Sequence, residues 1–174
     1  LAIFEQQNNL SRQAKCHSLK SILLGRIDNR TESLFQERKA LALYIKAKDL
    51  EGEISSLTNL SLEFTRVEQN DSALFYLSKL KRYAPEMKES NKYYLYQNFG
   101  TYYYNVRNYK EAIKSYEAAF EIADRLDLVD SKSTVLMLIA SPYMGLKNYK
   151  KAEDNLNKSL AIATNNNLIH ESNE

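Results

Sequence analysis

The stretch NFGTYYYNVRNYKEAIKSYEAAFEIA, Asn98 to Ala123, sets a glycine and three consecutive tyrosines just ahead of an alanine-rich run. Ala112, Ile113, Tyr116, Ala119, Phe120 and Ala123 recur at the spacing of one helical face, and Tyr96, Phe99, Gly100 and Tyr103 do the same upstream. Between the two stripes NVRNYKE breaks the pattern. Asn108 there is suited to cap the second helix, and Glu111, three residues on, to reach back to it. The stretch therefore reads as two helices back to back. Gly100, Ala112 and Ala119 are small residues where helices cross closely, and a lone glycine makes no phosphate loop.

This hairpin recurs. Ala73 in QNDSALFYLSKL, Ala112 in RNYKEAIKSYEAAF and Ala152 in KNYKKAEDNLNKSL share one apolar setting, 39 and 40 residues apart. Leu50, Leu128 and Leu168 keep the same register at separations of 78, or two units of 39, and 40. Asn148 stands where Asn108 does, as the next cap. One hairpin is too small to bury its own stripe, so neighbours must stack.

The repeating unit resembles a tetratricopeptide repeat in a longer variant of about forty residues. The third copy carries Tyr96, Phe99, Gly100, Tyr103, Ala112, Tyr116 and Ala119 at the motif places, and the fourth Leu136, Ile139, Ala140, Tyr143, Ala152, Leu156 and Ser159. The second has Leu57, Leu60, Ser61, Phe64, Ala73, Leu77 and Leu80, then Pro85. The first is degenerate, with Lys20 in place of a large apolar residue and Ser33 in place of alanine. The resemblance implies an all-α, right-handed alpha-alpha superhelix of about four hairpins. Its copies fall at about residues 12–50, 51–89, 90–129 and 130–168, residues 1–9 end a preceding second helix, and 169–174 start a further helix.

Composition narrows the role. With 44% hydrophobic and 26% charged residues, only 4 Gly and 2 Pro, the 174 residues suit one helical array with a sizeable core. A net charge of +2 without a long block of one sign does not imply nucleic acid as a direct partner. The basic cluster KLKRYAPEMK is broken by apolar residues and reads as a solvated helix end. No apolar run is long enough for a membrane span and no leader pattern opens the chain. One cysteine, Cys16, cannot make an internal disulfide, which leaves cytoplasm and periplasm both open. A first residue other than Met and the ending NNNLIHESNE read as a piece of a longer protein.

The tyrosines divide by helical phase. Tyr96 and Tyr103 share the stripe with Phe99 and read as core. Tyr94, Gln97, Thr101, Tyr104 and Asn105 lie on a common flank, because each residue turns the helix by about 100°. In the family this flank of the first helix lines a concave ligand groove. The same offset gives Ser55, Thr58, Leu62, Thr65 and Arg66 in the second copy and Thr134, Met137, Ser141 and Met144 in the fourth, with Asn59 and Asn98 beside the flank. Tyrosine gives rigid contact area and asparagine can bond an extended backbone, so the resemblance implies a protein or peptide ligand. The family's clamp for a C-terminal carboxylate needs basic residues and asparagine at set places. Thr58, Leu62, Gln97 and Thr101 stand there instead, which argues against that activity.

His17 and His170 lack partners at ligand spacing and read as surface residues, so no metal, cofactor or acid–base site is expected. Cys16 beside His17 reads as a half-buried structural cysteine, since neighbours on a helix diverge by about 100°. Pro142 falls mid-helix in the repeat register, where it deletes an amide bond to Leu138 and should kink the helix. The expected role is a non-enzymatic binding scaffold or sensor, of the kind found in bacterial regulators. A rival is a structural module that stacks on flanking domains or on other copies through its end repeats.

Overall fold

The computed structural model describes residues 2–172, with side chains described over residues 6–165. These residues form eight helices: α1 (Ala2–Arg26), α2 (Arg30–Ala47), α3 (Leu50–Arg66), α4 (Asn70–Arg82), α5 (Glu89–Asn105), α6 (Tyr109–Arg125), α7 (Val129–Gly145) and α8 (Tyr149–Ser172). Contacts divide the chain into two units, Leu1–Tyr83 and Ala84–Glu174. In the first, α1 packs on α2, α2 on α3 and α3 on α4, and α1 also touches α3; α5 to α8 repeat the pattern in the second. Each unit is two stacked helical hairpins, the all-α repeat architecture expected from the period.

The turns explain the regularity. Asp28, Lys48, Glu68, Arg107, Asp127 and Lys147 all have φ between 51° and 60°, the left-handed region. They recur every 20 residues from 28 to 68 and again from 107 to 147. At each, two amides return to the carbonyls of the ending helix: Arg107 N to Tyr104 O at 2.9 Å and Asn108 N to Tyr103 O at 2.8 Å are typical. The next helix starts at once. Asn29, Asp49, Asn108 and Asn148 accept a first-turn amide on their side chains, at 3.4, 3.0, 3.4 and 3.2 Å. Glu111 does not complete a reciprocal box; its carboxylate takes Lys114 Nζ at 2.7 Å, an easier reach along the same helix.

The three repeat alanines are buried as close-approach points, Ala73 and Ala112 at 0% and Ala152 at 3% exposure. In the second unit Tyr93, Tyr116, Ile122, Val135 and Ile139 form a core on which Tyr96 and Tyr103 pack, so those tyrosines are scaffold. Gly100 is required there, because a Cβ would overlap the Tyr116 ring; Gly52 meets the Tyr44 ring in the same way. In the first unit Leu57, Leu60, Phe64, Leu77 and Leu80 are buried, and Phe64 stacks on Tyr76 with ring centroids 5.3 Å apart.

The first hairpin departs from the motif in a consistent way. Lys20 is exposed, while Ser33 occupies the alanine place, buried and bonded to the Ser21 hydroxyl at 3.1 Å and the Ser21 carbonyl at 2.9 Å. A hydroxyl is small enough for the crossing and finds its partner on the facing helix. Residues 2–9 continue α1, and residues 169–172 continue α8; 173 and 174 lie outside the described residues. Pro142 is buried in the last turn of α7 rather than mid-helix.

Two other readings are corrected, and a third is not reached. His17 is half-buried, with Nδ1 2.6 Å from Gln36 Oε1, because it faces α2. Cys16 is exposed, since Ala14, Ser18 and Ser21 take the α2-facing positions and turn residue 16 to the other side. The side chains of Leu168 and His170 lie outside the described residues.

Candidate functional site

The first unit holds a groove between the first helices of its two hairpins. One cavity of about 540 Å³ is walled by Arg12, Lys15, Leu19 and Ile22 of α1 and by Glu51, Ser55 and Asn59 of α3. A second, of about 340 Å³, continues past Ile22 and Arg26 to Leu62, Glu63 and Arg66. Ile22 and Asn59 line both, so the two share a boundary. Tyr44 and Ser33 of α2 form part of the floor.

Its polar groups are held from below. Glu37 on α2 is 1% exposed and receives a bifurcated bond from the Ser18 hydroxyl, at 3.1 and 3.2 Å, and one from Asn59 Nδ2 at 3.3 Å. Neutral donors thus satisfy a buried carboxylate, and in doing so they fix Asn59 at the mouth. At the other end Glu63 binds Arg30 at 2.9 Å and Arg66 at 2.7 Å. The Thr58 hydroxyl donates back to Ile54 O at 2.8 Å. Of the expected α3 residues, Ser55, Asn59, Leu62 and Arg66 line the groove, Thr58 stands next to them on its own backbone, and Thr65 is instead buried, its hydroxyl donating to Ser61 O at 2.7 Å.

The α1 wall is missing from the flank read in the sequence, where the first copy departs from the motif at Lys20 and Ser33. The signal was present: moving Ser55, Thr58, Leu62 and Arg66 back by 40 residues gives Lys15, Ser18, Ile22 and Arg26, all of which line these cavities. Leu19 and Ile22 are also exposed apolar residues on α1, a second mark of an open face.

In the second unit the flank of α5 and α7 is partly open. Tyr94, Tyr104, Met137 and Met144 are 49%, 38%, 53% and 48% exposed, and Gln97, Thr101, Asn105 and Ser141 are half-buried. Asn98 is buried at 3% exposure. Thr101 donates to Gln97 O at 3.1 Å and accepts the Tyr116 hydroxyl at 3.1 Å, so it links flank to core. Tyr104 lies against Tyr109, with ring centroids 5.9 Å apart. Among the described residues no group of three or more His, Cys, Asp or Glu could hold a metal ion, and no helix is long and apolar enough to cross a membrane.

Residues 92–165 match the family model described as tetratricopeptide repeat. Three solved structures are similar in fold. BtubC (BKLC) from P. vanneervenii has 19% identity and a TM-score of 0.74, over 88% of this chain and 64% of that one. Aspartyl phosphate phosphatase F from Bacillus subtilis has 14% identity and a TM-score of 0.79, over 94% of this chain and 43% of that one. MamA from AMB-1 has 16% identity and a TM-score of 0.51, over 86% of this chain and 98% of that one. The chain thus spans less than two thirds of the first two of these structures. The search of curated protein sequences found no match.

Proposed function

Because residues 92–165 are tetratricopeptide repeat sequence in an all-α chain of paired helices, we propose that the protein is a non-enzymatic scaffold gripping a protein or peptide on the flank of its first helices. A protein-interaction scaffold is the general role of such repeats. The finer reading, a sensor or docking segment of a bacterial regulator, rests on the forty-residue period and its resemblance to such arrays. The observation that carries the binding role is the groove of α1 and α3. It combines apolar walls with fixed polar groups, which is the make-up of a site that both holds and orients a ligand.

The test uses the immobilised 174-residue chain, a lysate of the source cells and mass spectrometry. Leu62→Glu puts a charge on the apolar wall, and Tyr104→Ala removes an exposed ring in the second unit. Reduced capture of a reproducible partner by either variant, with the helical circular-dichroism signal unchanged, is the expected result. Capture unaffected by both would overturn the reading.

A further inference from the structure

The groove of the first unit is ordered by charge along its length. Arg12, Lys15, Leu19, Ile22 and Arg26 follow at intervals of three, four, three and four residues, one line along α1. Cations therefore stand at both ends of an apolar centre, with Leu62 on the facing wall. Among the described residues Arg12, Lys15 and Arg26 have no acidic partner. Asp49 and Glu51 line the same cavity as Arg12 and Lys15, but Asp49 accepts the Gly52 amide as the cap of α3, Glu51 has an interaction of its own, and Glu63 holds Arg30 and Arg66, so none of the three pairs with these cations. Glu37 lies beneath the floor, covered by Ser18 and Asn59.

Resting on the reading that this groove binds a polypeptide, we propose that it takes an extended internal segment with an apolar centre and an acidic residue toward each end. From Arg12 to Arg26 the groove runs about 21 Å, at 1.5 Å per residue. An extended chain covers that distance in about six residues. Asn59, held by Glu37 where the two cavities meet, offers an amide to an extended backbone. Because the unpaired cations stand at both ends, recognition needs no chain terminus. Apolar contacts supply affinity, and the end charges set register and exclude basic segments.

The experiment is fluorescence anisotropy on the whole chain with a labelled, C-terminally amidated peptide carrying leucines between two glutamates about six positions apart. A matched peptide carries lysines in place of the glutamates. The glutamate peptide should bind, and Lys15→Glu with Arg26→Glu should weaken it about tenfold, while the lysine peptide gains on that variant. Both substituted side chains are exposed, so the helical signal should not change. Equal binding of the two peptides, no charge swap, dependence on a free C-terminal carboxylate, or no binding at millimolar concentration would each overturn the inference. If Leu62→Glu still abolishes capture of the natural partner in that event, the binding role stands and only this ligand class falls. If Leu62→Glu and Tyr104→Ala both leave capture intact, the binding role itself falls.

Discussion

Tyr116 sits where core and flank meet. Its ring fills the space that Gly100 leaves open, its hydroxyl reaches Thr101, and burial pushes its phenol up to about 12. The unfolded chain would ionise this group near its ordinary value of 10.0. The folded state therefore holds the proton more tightly, and the stabilisation is complete below pH 10 and lost as pH rises toward 12. Two pH units of difference correspond to about 2–3 kcal/mol. Denaturant midpoints should fall steeply between pH 10 and 12, and Tyr116→Phe should flatten that fall at a cost of about 1 kcal/mol near neutrality. Tyr44 and Tyr93, raised in the same direction by burial, retain part of the slope. An unchanged pH profile in the variant would contradict this assignment. Phase alone separated Tyr96 and Tyr103 from Tyr94 and Tyr104, because helical periodicity distinguishes one side of a helix from the other. It misplaced Cys16, and the lack of a partner at ligand spacing misplaced His17, since only the facing α2 decides which side of α1 is inner.

At the level of elements, the period was legible because alanines at helix crossings cannot be enlarged without separating the helices. The turns were not. Left-handed helix ends are usually announced by glycine or asparagine, and here they are occupied by Asp, Lys, Glu and Arg. Such residues accept a cost of about 1–2 kcal/mol for that conformation. Arg107→Gly should remove part of it and raise the thermal midpoint by about 2–4 °C, while Arg107→Val should lower the midpoint. Scanning calorimetry of the three proteins checks the order, and a lower midpoint for the glycine variant would contradict the turn assignment. The first hairpin hid its flank for a related reason. Ser21, Ser33, Gln36 and Glu37 satisfy one another and their neighbours across α1 and α2, so a pattern that looks polar in sequence is buried in the fold.

On the scale of the whole molecule, repetition makes each first helix offer the same flank while its chemistry differs from copy to copy. The first unit presents arginine, lysine, leucine and isoleucine, and the second presents tyrosine and methionine. One fold thereby carries two kinds of surface. Large exposed rings also occur on the second helices, at Phe35 and Phe75, where lysine ammonium groups lie 4.3 and 4.6 Å from the ring centroids. These positions provide an internal comparison for a binding role assigned to the first helices. A photo-crosslinking benzophenone side chain should therefore be placed singly at Ile22, Leu62, Phe35 and Phe75 of the protein in its native cells. Adducts to a distinct polypeptide from Ile22 and Leu62, and none from Phe35 or Phe75, are the outcome required if the groove is the binding face. Adducts only from Phe35 and Phe75, or only to another copy of the chain, would contradict it.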